Sequence, residues 1–345
     1  MDKRSTEKRK SEHIKLCLSD KVGYYKSYGF DKYEFEHCAT TEVDIKKIDL
    51  ESNFFSKRIS FPFIISCMTG GTKEANDINQ KLAIAANELN IPIGVGSQRQ
   101  ALENNNYHDS FRIIRQNAGR VPVLGNLGAA QLVQSSKVID DVKFLIDLIE
   151  ADVFVIHLNP LQELLQTEGE PNFSGFFKKL EKLTKSISTP VIMKEVGSGI
   201  SKKSAKKLLE AGVKGIDVAG AGGTSWAAVE LLRNKVTNDF FREWGLPTSY
   251  CVRTVYELKK KYDFSLVASG GINSGIDIAK SIALGADLTA SARIILNELI
   301  KNDSAGVVNL ITEWFEDVKK IMYLTGVNNI KGLKKVKLLK SEELH

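Results

Sequence analysis

An eight-stranded α/β barrel of the TIM (β/α)8 kind is the fold class this sequence predicts, and three observations predict it. Eight short apolar runs begin near residues 61, 91, 121, 152, 189, 215, 264 and 287. Most are spaced by about thirty residues, the length of one strand-and-helix unit. A helix-forming stretch follows nearly every run, and nearly every run ends in glycine or a polar side chain. Strands alternating with helices specify a parallel sheet. Eight such units specify a barrel, with a doubly wound sheet as the alternative architecture.

Residues 1–60 form a polar extension. Arg9-Lys10-Ser11-Glu12-His13 precedes an apolar turn at 14–18, and 36–48 reads as irregular strand and loop. The first strand, Phe61-Pro-Phe-Ile-Ile-Ser66, leads to Met68-Thr69-Gly70-Gly71 and a helix ending near 89. The second, Ile91-Pro-Ile-Gly-Val-Gly96, leads to Ser97-Gln98-Arg99 and a helix over 111–117. The third, Val121-Pro-Val-Leu-Gly125, ends in Asn126 before a helix over 136–150. The fourth opens with Val153 to Ile156 and delivers His157, Asn159, Gln162 and Glu163 within seven residues, ahead of a helix over 173–186. The fifth, Thr189-Pro-Val-Ile-Met193, ends in Lys194, with a helix over 201–211. The sixth, Gly215-Ile-Asp-Val-Ala219, runs into Gly220-Ala-Gly-Gly-Thr224 and an insertion, 226–263, holding at least two helical segments. The seventh, Phe264-Ser-Leu-Val-Ala268, reaches Ser269-Gly270-Gly271 and a helix over 276–284. The eighth, Asp287-Leu-Thr-Ala290, reaches Ser291-Ala292-Arg293 and closing helices to about 323. No Pro/Gly/Ser-rich linker divides the chain. One barrel domain over 61–325 is expected, between the extension and a basic tail over 326–345.

Composition narrows the function classes. Hydrophobic residues make up 43% and charged residues 26% of the 345 residues, ordinary for a globular protein. No apolar run reaches the ~18 residues that span a bilayer, so no membrane role is expected. The charged start lacks an apolar signal core, and Cys17, Cys38, Cys67 and Cys251 are scattered without a CxxC pair. Both features fit a reducing cytoplasm and argue against a disulfide framework or a zinc site. The net charge of +6 is concentrated at the ends, in Lys3, Arg4, Lys8, Arg9 and Lys10 and in Lys331, Lys334, Lys335, Lys337 and Lys340. Basic ends without interleaved aromatics do not make a nucleic-acid module, and no nucleic-acid partner is expected. The front cluster is either a solvated segment or a trap for a phosphorylated small molecule.

In a barrel the polar strand ends share one mouth. Singly, each has a plain alternative. Asn126 is a helix cap or a ligand contact, and His157 is a satisfied core histidine or a site residue. Lys194 is less easily dismissed, because a half-buried ammonium needs an anionic partner. The glycines of Ser269–Gly275 and the turn at Ala290–Arg293 sit where this fold binds phosphate, although tight turns alone would also use glycine. Gly220–Thr224 lacks the lysine of a P-loop. A planar cofactor carrying a phosphate fits these parts, with Lys194 against its ring, and FMN is the natural candidate. Arg99, His157, Arg9 and Lys10 suggest a second anion site. Glu163 beside it either holds Mg2+ against a diphosphate or simply starts a helix.

The motifs together resemble the type 2, FMN-dependent isopentenyl-diphosphate isomerases. The matching residues are Arg9-Lys10-x-Glu-His13, Met68–Gly71, Gly94-Val-Gly-Ser-Gln-Arg99, Asn126-Leu-Gly128 and His157-Leu-Asn-Pro-x-Gln-Glu163. Lys194-Glu-x-Gly197, Gly222-Gly-Thr-x-Trp226 and Ser269-Gly-Gly-Ile-x-Ser-Gly275 complete the set, in order, over roughly 9–325. The resemblance implies conversion of isopentenyl diphosphate to dimethylallyl diphosphate. It implies reduced FMN as acid and base, NADPH as reductant and Mg2+ on the diphosphate. By the same resemblance Cys67, Met68, Thr69, Ser97, Asn126, Lys194 and Thr224 line the flavin. Gly271, Ile272, Asn273, Ala292 and Arg293 hold its phosphate. Arg9, Lys10, Ser97, Gln98, Arg99, His157, Asn159 and Gln162 take the substrate, and Glu163 takes the metal. Gln162 would position the substrate or relay a proton. Trp226 would stack near a cationic intermediate or pack in the core. Two positions depart from the pattern. Asn273 stands where arginine is expected, leaving Arg293 to supply that charge, and Ala219 stands where a serine is common. A homo-oligomer, tetrameric or octameric, is expected.

Two other enzymes or binders remain in view. A 2-hydroxy-acid oxidase on the same barrel needs a late catalytic histidine, and the chain has none between His157 and His345. A non-catalytic flavin barrel fits poorly with so many polar strand ends.

Overall fold

The computed structural model describes residues 3–235 and 240–344. Eight parallel strands close into a barrel. In chain order they are β1 (Phe63–Ile65), β2 (Ile93–Gly94), β3 (Val123–Gly128), β4 (Val153–Leu158), β5 (Val191–Glu195), β6 (Gly215–Asp217), β7 (Ser265–Ala268) and β8 (Leu288–Ser291). Each pairs with its sequence neighbours, and β8 returns to β1 through Ala290 opposite Ile64. Every apolar run of the sequence is a barrel strand.

Side chains alternate across each strand, so one set fills the barrel and the other meets the helices. Ile64, Leu124, Val153, Val155, Ile192, Val267 and Leu288 form the inner cluster. Phe63, Ile65, Phe154 and Ile156 join the helix-facing layer. Full burial of each such side chain contributes about 1.5–3 kcal/mol. A hairpin, Ser52–Phe54 with Lys57–Ile59, plugs the base of the barrel with Phe54 and Ile59. The other end stays open.

The surrounding helices follow the expected order with trimmed ends, for example Val138–Ile149 and Phe176–Ser186. Hydroxyls cap several starts: Thr72 Oγ1 accepts from Ala75 N at 3.0 Å, and Ser225 Oγ accepts from Ala228 N at 3.1 Å. The insertion after β6 contains the helices Trp226–Arg233 and Thr248–Tyr256. Its residues 236–239 lie outside the described residues, as do the side chains of Lys3, Arg4 and Lys8.

Both ends of the chain differ from the sequence expectation. Lys3–Cys17 is a helix, where an apolar turn was expected at 14–18. It lies across the open end of the barrel against the helix Trp226–Arg233. The C-terminal segment, expected as a basic tail, is docked on the rest of the chain. Ile330 and Leu333 are buried, and Leu338–Lys340 pairs antiparallel with Tyr33–Phe35. Among the described residues no helix is long and apolar enough to cross a membrane.

Candidate active site

A cavity of about 290 Å³ opens at the C-terminal ends of the strands and is covered by the N-terminal helix. Of the residues expected at the site, eighteen line it: Arg9, Lys10, Cys67, Met68, Thr69, Ser97, Arg99, Asn126, His157, Asn159, Gln162, Glu163, Lys194, Thr224, Gly271, Asn273, Ala292 and Arg293. Two do not. Gln98 is turned away from the mouth: its Nε2 donates to Leu145 O at 3.0 Å, and its Oε1 accepts from Asn126 N at 2.9 Å. It braces the end of β3, and both ends of its amide are engaged there rather than in the cavity. The Ile272 side chain is 1% exposed in the outer core, so only its backbone can face a phosphate.

The β7 and β8 side carries the glycine cradle. Gly271 adopts φ +84°, and a Cβ there would stand 2.7 Å from the Gly222 carbonyl carbon. A Cβ on Gly223 would stand 2.9 Å from Gly271 N. Only glycine lets these two loops meet. The helix Gly275–Ala283 begins beside them, capped by Ser274. Asn273 N already donates to Asp277 Oδ2 at 3.1 Å, which leaves the Asn273 side chain as its free contribution. Arg293 lines the cavity, and its Nη1 also donates to Ser19 O at 3.5 Å, linking the cradle to the turn after the N-terminal helix. A phosphate monoester fits this donor set.

Lys194, at the end of β5, meets the anion its position required. Its Nζ lies 4.0 Å from Asp217 Oδ2 and donates to Glu195 O at 2.7 Å. Asp217 Oδ1 accepts from Ser269 Oγ at 2.5 Å. Burial pushes the Asp217 carboxyl above its ordinary range, and Lys194 pulls it back. Glu195 turns the other way. Its Oε2 accepts from the backbone N–H groups of Val196, Gly197, Ser198 and Gly199, which shapes the loop bounding the cavity behind Lys194. Ala219, in the serine position of the motif, holds φ +36°, a strained conformation at the cavity wall.

The opposite wall is cationic. Lys10 Nζ donates to Gly70 O at 2.6 Å and Ser97 O at 3.3 Å. Burial, with Arg9 and Arg99 nearby, lowers its pKa to about 7. The same crowding presses Arg9 below its usual value. Arg99 bonds Glu103 Oε1 at 3.0 Å and stands 3.5 Å from Glu170 Oε2. His157 Nδ1 lies 2.8 Å from Asn126 Oδ1, and burial, Lys194 and Lys10 lower the imidazole to about 4. His157 is therefore neutral at pH 7. Three clustered cations beside a neutral imidazole form a receptor for a polyanion.

Glu163 sits in the first turn of the helix Pro160–Leu165, where Pro160 at N1 and a favourable dipole place a carboxylate. Its Oε1 accepts from Asn159 Nδ2 at 2.9 Å and its Oε2 from Glu170 N at 2.8 Å. Asn159 Oδ1 is buried without a partner beside it. Among the described residues no cluster of three His, Cys, Asp or Glu side chains could hold a metal alone. One carboxylate and one amide oxygen fit a hard cation whose remaining ligands are phosphate oxygens and water.

Some of the site escaped sequence reasoning. His13 Nε2 pairs with Glu230 Oε1 at 2.8 Å, and its ring meets Trp226 edge-on at 5.0 Å. Arg233 bonds Glu168 Oε1 at 2.5 Å, Glu12 Oε2 at 3.1 Å and Glu230 Oε2 at 3.2 Å. This network ties the N-terminal helix to the loop behind Glu163. Arg233 stands outside every recognisable motif, and no local pattern marks it.

Comparison with known proteins agrees with this architecture. Residues 157–340 match the family model of FMN-dependent dehydrogenases. A protein of Pelodictyon phaeoclathratiforme named isopentenyl-diphosphate delta-isomerase is 43% identical over 348 residues, covering 95% of this chain and 96% of that protein. A Chlorobaculum parvum protein of the same name is 44% identical over 338 residues, 93% of each chain. One from Nostoc sp. is 40% identical over 339 residues, 96% and 95%. Among solved structures, a flavocytochrome b2 mutant with pyruvate bound has a TM-score of 0.71 at 18% identity, covering 95% of this chain and 82% of that one. Mandelate oxidase with (S)-2-phenylpropionate has a TM-score of 0.68 at 15% identity, covering 96% and 98%. These two share the fold. The relatives at 40% identity and above align with it over nearly its whole length, and the chain belongs to the isopentenyl-diphosphate delta-isomerase family, built on the FMN-dependent dehydrogenase barrel.

Proposed function

We infer that the protein converts isopentenyl diphosphate to dimethylallyl diphosphate, with FMN in one half of the cavity and the diphosphate in the other. One observation carries this reading. A single cavity sets a glycine cradle and Lys194 opposite Arg9, Lys10, Arg99 and Glu163. That set of donors suits two anionic groups in one cavity.

The reaction adds a proton at the terminal alkene carbon and removes one at C2. Reduced FMN, when bound, supplies the acid/base group, with NADPH as the reductant. The chain's own residues do the rest. Gly271, Asn273, Ala292 and Arg293 hold the cofactor phosphate, and Lys194 faces the ring with Cys67, Met68, Thr69, Asn126 and Thr224. Arg9, Lys10, Ser97 and Arg99 bind the diphosphate, and His157 and Asn159 line its path. Glu163 holds Mg2+ against it. Gln162 lines the cavity and positions the isoprenoid or relays a proton, although an amide is a weak base. The N-terminal helix excludes water from the reacting carbons.

Oxidation of a 2-hydroxy acid, the chemistry named by mandelate oxidase, is less well supported. The imidazoles in this cavity are His13 and His157, and both come early in the chain. The proposed assembly is a cytoplasmic homo-oligomer, a tetramer or octamer. Exposed Tyr25 and Trp244 support association, and four free cysteines support a reducing compartment. Light scattering tests the former. Anaerobic incubation with FMN, NADPH, Mg2+ and isopentenyl diphosphate tests the reaction, and absence of dimethylallyl diphosphate would overturn it.

A further inference from the structure

Gln100 sits one residue past the Gly94–Arg99 motif, in the short helix Arg99–Glu103. The residue borders the cavity and is only 1% exposed. Both carboxamide atoms, Oε1 and Nε2, are buried without a hydrogen-bond partner. A buried amide with neither its donor nor its acceptor engaged is disfavoured unless a ligand completes it.

The surroundings identify that ligand's chemistry. Gly71 makes room for the amide, since a Cβ there would stand 1.9 Å from Gln100 Oε1. The same point lies 3.0 Å from Lys10 Nζ. Amide and ammonium therefore share one corner of the cavity wall, next to Arg99 in sequence. A site surrounded by cations takes an anion, and of the two amide atoms only Nε2 can donate to one.

We propose that Gln100 is a substrate-binding residue whose Nε2 donates to an oxygen of the diphosphate between Lys10 and Arg99. This rests on the isomerase reading and deepens it. A neutral donor fixes the orientation of the diphosphate without adding repulsion to the three cations already there. The contact is to the part of the substrate that does not react, so its loss falls on KM more than on kcat.

The test uses FMN-loaded protein with Q100L and Q100E substitutions. Calorimetry measures affinity for inorganic pyrophosphate with Mg2+, and steady-state kinetics give KM and kcat for isopentenyl diphosphate. Q100L is expected to weaken pyrophosphate about tenfold and raise KM by the same factor, with flavin affinity retained. Its melting temperature should not fall, because an unpartnered amide has been removed. Q100E keeps the shape but exchanges the donor for a negative charge, so it should bind pyrophosphate more weakly than Q100L. Pyrophosphate affinity within twofold of wild type in Q100L, or undiminished in Q100E, would overturn the proposal. Gln100-dependent pyrophosphate binding in a wild-type protein that leaves isopentenyl diphosphate unchanged would uphold this contact and overturn the isomerase reading.

Discussion

His157 Nδ1 stands 2.8 Å from Asn126 Oδ1 across neighbouring strands β4 and β3. An amide oxygen can only accept, so Nδ1 carries the proton and Nε2 is the acceptor of a neutral ring. Burial keeps the ring neutral down to about pH 4. Because this value lies below that of an unfolded histidine, the unfolded chain takes up a proton first as the pH drops. Stability should therefore fall between about pH 6.5 and 4, by roughly 1–3 kcal/mol from this group. NMR titration of the ring should give a midpoint near 4, moving up when pyrophosphate binds. A midpoint near 6.5 without ligand would show that the ring is solvated.

Lys10 predicts the pH dependence of anion binding. Its ammonium loses its proton near pH 7 in the free protein. A bound diphosphate favours the charged form, so binding takes up a proton, and affinity should weaken as the pH rises through 7. Lys10→Arg should remove that part of the profile, since arginine stays charged. Pyrophosphate titrations of both proteins between pH 6 and 9 check this, and parallel curves would count against it.

Glu163→Gln should raise the Mg2+ concentration for half-maximal activity at least about tenfold, because a hard cation loses its only charged protein ligand there. The substitution also sets an NH2 group against one of two donors, Asn159 Nδ2 or Glu170 N, so a modest drop in melting temperature is expected. A metal titration identical to wild type would remove Glu163 from this role.

Arg233→Met should detach the N-terminal helix. It would take the cation from Glu168 and Glu12 and leave Glu230, which is 0% exposed, paired with His13 alone. Breaking such a partly buried network costs roughly 1–3 kcal/mol. Limited proteolysis should then cut within 3–17 sooner, and KM should rise roughly tenfold as Arg9 and Lys10 lose their placement. Unchanged proteolysis and KM would mean the helix is held by other contacts.

How far the sequence could be read depended on the range of the interactions. Strands such as Val153–Ile156 were legible because burial on both faces writes a continuous apolar run. The polar groups behind them were legible because a barrel sends every strand end to one mouth. The N-terminal helix was not, since Lys3–Cys17 is strongly polar and its partners, Glu230 and Arg233, lie more than two hundred residues away. The strand Leu338–Lys340 is three residues long and pairs with Tyr33–Phe35 at the far end of the chain. Gln98 shows a third limit. It lies inside a recognisable motif, yet side-chain direction at a strand end is set by tertiary packing, and its amide was claimed by Leu145 O and Asn126 N.

The loop behind Lys194 has a consequence of its own. Four successive N–H groups converge on one oxygen of Glu195, an arrangement otherwise used to capture free anions. Here the guest is tethered to the host by its own backbone. An Ala at 195 would leave the receptor vacant, and chloride or phosphate in the buffer would then govern the shape of the loop. The loop's order would then depend on the salt present rather than on the chain alone.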